Sequence, residues 1–171
     1  PDARAARGNM EGTEGALLAQ ANEQCQDPTF REAVWRHLGY RGAAAASREL
    51  RTLIHPSDQM LQHSLRHFHE VNRSVSQYFN VALQQHNAAQ QVFRLILGAP
   101  SATHRLLDFA CGYGRLLRFL TLSIPPDQIW ASEIQRDAVD FAIGQFGVHG
   151  ILSDFDPRRF DPRTQFDFVW V

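Results

Sequence analysis

The chain has 171 residues, 44% of them hydrophobic, with 17 basic and 18 acidic side chains and a formal charge of −1. That length fits one ordinary domain, or one domain with an appendage, and suffices for a real core. Near-neutral charge argues against bulk attraction to nucleic acid or an anionic membrane. All the basic residues are arginine, which reads as genome composition and removes any lysine Schiff-base chemistry.

Cys25 and Cys111 lie far apart in different contexts. They suggest no disulfide framework, which fits a reducing cytoplasm. No apolar run approaches the roughly 18 residues needed to span a bilayer, and no signal peptide is visible. The chain does not open on Met, which reads as a trimmed start.

Residues 1–14 are polar, rich in Ala, Gly and Arg, and lack a periodic apolar face, so a disordered terminus is expected. Residues 15–100 read as an all-helical region. Helices are expected near Gly15–Gln24, Pro28–Leu38 and Ala43–Ile54. Asp27 can cap the second, with Pro28 at its first position and Gly39 as its stop. His55-Pro56 ends the third.

A longer helix is expected over Ser57–Tyr78, capped by Ser57. Met60, Leu61, Leu65, Phe68, Val71, Val75 and Phe79 recur there at three- and four-residue steps. A further helix covers Val81–Leu97 and stops at Gly98-Ala99-Pro100. His63 and His67 share a helix face, but a third ligand on it is missing, so a solvated polar face is the better reading. Tyr78 and Phe79 read as core.

From residue 101 the pattern changes. Leu106–Phe109, Ile129–Ser132, Ile151–Leu152 and Phe166–Val171 read as strands, with helices over Gly114–Leu122 and Asp137–Phe146. Such alternation implies crossover units, a parallel sheet and ligands at the carboxyl ends of the strands.

The stretch after the first strand carries the chemistry. Asp108-Phe109-Ala110-Cys111-Gly112-Tyr113-Gly114-Arg115 is a strand end, a loop with small residues at alternate positions, and a helix start. Small side chains let backbone N–H groups approach a ligand. The carboxylate of Asp108 at the mouth would repel a pyrophosphate and suits a ligand with a positive end. About twenty residues on, Glu133 stands where an acid grips two ribose hydroxyls. Ile134 beside it offers an apolar surface. Asp154 and Phe155 follow the third strand, and their bland reading is a turn next to Asp156-Pro157. Cys111 reads as packing beside the loop, and Arg115 either meets a carboxylate or faces solvent.

The segment 108–115 resembles the first motif of class I S-adenosylmethionine-dependent methyltransferases, an acid-x-Gly-x-Gly-x-Gly loop. Ala110 departs from it where glycine is usual. The resemblance covers roughly Arg105–Val171. It implies an α/β, Rossmann-like parallel sheet, of which about four strands are present here, preceded by the helical region as a cap. It implies S-adenosylmethionine as cofactor. Asp108, Ala110, Cys111, Gly112, Gly114 and Arg115 would form its loop and Glu133 would hold its ribose. Ile134 would cover the adenine, while Asp154 and the Phe155 N–H would meet the adenine edge. Asp167, before the fourth strand, would be structural.

Such sheets have seven strands, so the chain reads as the first part of a longer domain, and no catalytic residue is assigned. The acceptor is unidentified, with a small molecule favoured over nucleic acid and no membrane partner. The alternatives are a non-catalytic association module of the same fold and, less favoured, an NAD(P)-dependent oxidoreductase.

Overall fold

The computed structural model describes residues 3–37, 49–98 and 103–171. The chain divides into two compact units, residues 1–39 with 52–80, and residues 40–51 with 81–171.

The first unit is helical. Helix α1 spans Ala3–Gln26 and so begins within the stretch expected to be a disordered terminus. Helix α2 spans Pro28–His37. The Asp27 carboxylate accepts the Phe30 N–H at 3.0 Å, which satisfies one of the donors that a helix start leaves open.

The helix expected at Ala43–Ile54 is not formed over residues 49–54, and 43–48 lie outside the described residues. Asn22 explains the described part. Its side-chain amide accepts the Ile54 N–H and donates to the Ile54 carbonyl, each at 2.9 Å. The Ile54 backbone is thereby satisfied without a helical ladder.

Helix α3 spans Gln59–Phe68 and is capped by Asp58 rather than Ser57. Asp58 is buried, accepts the Met60 and Leu61 N–H groups, and also takes the Tyr78 hydroxyl at 2.7 Å. The chain then breaks where a single helix was expected. His69 turns left-handed at φ +53°, and the Glu70 carboxylate caps the next helix through the Asn72 and Arg73 N–H groups. Helix α4 runs unbroken over Val71–Leu97, through the junction expected at 79–80. The apolar step from Phe68 to Val71 stays in phase across the break, so periodicity alone could not reveal it. Tyr78 and Phe79 are buried, while His63 and His67 are exposed and stack 6.3 Å apart.

The second unit is α/β and Rossmann-like. Strands β1 (Leu106–Phe109), β2 (Ile129–Glu133), β3 (His149–Leu152) and β4 (Phe168–Trp170) form one sheet. The pairs are parallel and the order is β3-β2-β1-β4, the arrangement of a doubly wound half. Helices α5 (Leu117–Ser123) and α6 (Arg136–Phe146) follow β1 and β2. Leu106, Ile129, Ala131 and Phe168 share a sheet face and pack with Phe93, Leu117, Leu120, Ala142 and Phe146. Each large side chain buried this way contributes about 1.5–3 kcal/mol.

Asp167 ties the lower ends of β1 and β4 together. Its carboxylate accepts the Arg105 N–H at 2.8 Å, and its own N–H donates to the Arg105 carbonyl at 2.9 Å. Among the described residues no helix is long and apolar enough to cross a membrane.

His86 on α4 is buried, and burial, with Arg94 adding to it, lowers its imidazole from 6.5 to about 4. The folded chain therefore refuses a proton that the unfolded chain accepts, so stability falls as pH drops from about 6.5 towards 4. Between pH 7.5 and 5, urea midpoints should show a loss on the order of 2 kcal/mol that His86→Leu removes.

Candidate functional site

The site is built where β1 and β2 end side by side. Residues on β1 alternate faces, so Asp108 joins Leu106 on the face that carries the core. Its carboxyl is 3% exposed, and its Oδ2 has no hydrogen-bond partner among the described residues. Burial, reinforced by Glu133, pushes it up to about 7. A buried acid with an open lone pair makes a favourable partner for a cation, because the opposite charge offsets the desolvation that raised it.

Beyond β1 the chain reverses through left-handed residues: Ala110 at φ +56°, Gly112 at +54° and Gly114 at +76°. The Cys111 N–H donates to the Ser132 carbonyl at 3.0 Å, pinning the loop to β2. Glycine at 112 leaves space, since a Cβ there would meet nothing within 4 Å. Glycine at 114 serves a different purpose. A Cβ there would stand 2.3 Å from Phe146 Cε2, so Gly114 is needed for α6 to pack against the loop.

Glu133 closes the arrangement. Its Oε2 accepts the Gly112 N–H at 2.9 Å and its Oε1 accepts the Ile134 N–H at 2.7 Å. Each carboxylate oxygen can accept more than one hydrogen bond. Two backbone donors thus orient the group while leaving capacity on both oxygens, as a vicinal diol requires.

The structure therefore brings Asp108, Cys111, Gly112, Glu133 and Ile134 to one place, with Ala110 shaping the turn. Ile134 is 40% exposed beside the Glu133 carboxylate. Burial, then the Asp108 and Glu133 carboxylates, push the Cys111 thiol well above the usual range, which disfavours the thiolate. Arg115 is half-buried just beyond the loop.

Asp154 and Phe155 stand differently. The Ser153 N–H donates to the Glu133 carbonyl at 2.8 Å, which brings the start of their loop to the end of β2. The Asp154 carboxylate, however, accepts the Asp156 N–H and lies 3.4 Å from Arg159, and the Phe155 side chain is 87% exposed.

Sequence reasoning did not assign Tyr113 or Asp137. The Tyr113 hydroxyl donates to Asp137 at 2.6 Å and lies 3.3 Å from Gln135 Oε1. The one signal was an aromatic residue between two glycines, which the loop pattern treats as a free position.

No protein-family model matches the chain, and no curated protein matches it. Among solved structures the chain is similar to the plantazolicin methyltransferase BpumL in complex with SAH, at 14% identity and a TM-score of 0.39. The match covers 95% of this chain and 48% of that one, so the chain spans about half its length.

Gly114→Ala combines a left-handed backbone with a clash against a packed ring. It should destabilise the chain by about 2 kcal/mol or more in chemical denaturation. Gly112→Ala, strained but unobstructed, should cost about 1 kcal/mol.

Proposed function

We propose that the α/β unit binds S-adenosylmethionine and serves methyl transfer to an acceptor still to be identified. The observation that carries this reading is the convergence of two differently prepared carboxylates on one glycine loop. Asp108 is desolvated with an open oxygen, and Glu133 is oriented by two backbone N–H groups with acceptor capacity to spare. A ligand that is cationic at one end and carries a ribose diol matches the pair. A dinucleotide matches it poorly, because its pyrophosphate would meet negative charge where it needs donors.

In this reading Asp108 faces the positive end of the cofactor. The loop from Ala110 through Cys111 and Gly112 to Gly114 gives it backbone to rest on. Glu133 takes the ribose hydroxyls and Ile134 covers one face of the adenine. Asp154 and the Phe155 N–H meet the adenine edge once Asp154 lets go of Arg159, an exposed and therefore weak tie. Arg115 is the candidate for the cofactor's carboxylate. The bound cofactor would supply a methyl group on a sulfonium, already activated for in-line displacement, so the protein's own task is alignment and exclusion of water. The near-neutral charge supports a small-molecule acceptor rather than nucleic acid.

Calorimetric titration tests this. S-adenosylmethionine and its demethylated product S-adenosylhomocysteine should bind at micromolar levels, and NAD should not. Glu133→Ala should weaken the sulfur ligands about tenfold or more, as expected for a charge-assisted hydrogen bond worth roughly 1.5–3 kcal/mol. A cation needs Asp108 ionised, so affinity should rise with pH up to about 7 and then level off. A well-folded chain that binds none of these ligands would instead support the association-module reading.

A further inference from the structure

Tyr113 lies between two left-handed glycines, yet it is only 6% exposed. A buried phenol needs a partner for its hydroxyl. It finds one in Asp137, in the first turn of α6, at 2.6 Å, the short distance of a charge-assisted bond. Its ring meets Phe141 edge-on at 6.1 Å. The preceding residue, Gly112, grips Glu133 at the other end of the same β2–α6 turn. Two consecutive loop residues thus hold one short turn at two points. Neither can shift along it without disturbing the other.

We infer that Tyr113 is a positioning residue: through its hydroxyl bond to Asp137 it holds the loop in the register at which the Gly112 N–H orients the Glu133 carboxylate. Only the identity of the diol that this carboxylate would receive rests on the cofactor reading above. The hydroxyl touches no ligand in this scheme and acts through Glu133. A purely structural role, helping α6 to pack, would leave the orientation of Glu133 alone.

The two roles separate in a pair of measurements. Tyr113→Phe keeps the ring and removes the bond to Asp137. Amide exchange at Gly112, followed by NMR, should then quicken by about tenfold, the expected consequence of losing a charge-assisted hydrogen bond. Asp137→Ala removes the same bond from the other side and should do likewise, whereas Asp137→Asn, which still accepts, should retain most of the protection. In calorimetry with S-adenosylhomocysteine, Tyr113→Phe should weaken binding by about tenfold. Combined with Glu133→Gln it should add little to the loss from Glu133→Gln alone, because both changes act on one carboxylate. Unchanged exchange at Gly112, or fully additive losses of affinity, overturns the inference. If the unaltered chain does not bind S-adenosylhomocysteine, the cofactor reading fails, and the exchange at Gly112 decides the inference by itself.

Discussion

The hydrogen bond from the Gly112 N–H to the Glu133 carboxylate is where two otherwise separate parts of the chain become one surface. Parallel strands place their carboxyl ends together, but that adjacency only brings the β1 loop near the end of β2. A specific contact is needed to convert nearness into a fixed arrangement. The carboxylate supplies it, and the adjoining Cys111 N–H reinforces it on the Ser132 carbonyl. Ser153, bonded to the Glu133 carbonyl, extends the same edge to β3. The end of β2 is thus the common anchor for the segments that follow its two neighbours.

Around this anchor the electrostatics are deliberately unbalanced. Burial and the neighbouring Glu133 raise the cost of ionising Asp108, and burial with both carboxylates holds the Cys111 thiol up as well. A core face that ends in a desolvated carboxyl is an expensive way to build a sheet. An apolar residue at position 108 would continue the packing of Leu106 without that cost. Under the function proposed above, a cationic ligand would offset that cost.

The α/β half was legible because its signals are local. Each strand was a short apolar run and each crossover was bounded by Gly, Pro or an acid, so the alternation of strands and helices and the parallel sheet were legible, while the spatial order β3-β2-β1-β4 was not. The loop was equally visible as alternate small residues after a strand. What the sequence could not show were contacts between distant side chains. Asn22 satisfying the Ile54 backbone removed an expected helix, and the in-phase step across His69 hid a break. Within the site, Gly112 and Gly114 look alike in the sequence. Only the ring of Phe146, more than thirty residues on, separates a glycine that leaves space from one that yields it. Tyr113 escaped notice because its partner lies on another element.

Ala110 gives the loop a further property. It holds φ +56° with a Cβ attached, a conformation that costs an L-residue roughly 1–2 kcal/mol. Set against a glycine, that corresponds to a handedness about five- to thirtyfold less populated in a loop left to itself. The turn is therefore metastable in isolation and depends for its shape on its grip on β2. Letting go at Gly112 and Cys111 would allow the backbone at Ala110 to relax, and re-forming the turn would again cost roughly 1–2 kcal/mol. A single methyl group thus makes the shape of the loop lean more heavily on its contacts with β2 than a glycine would.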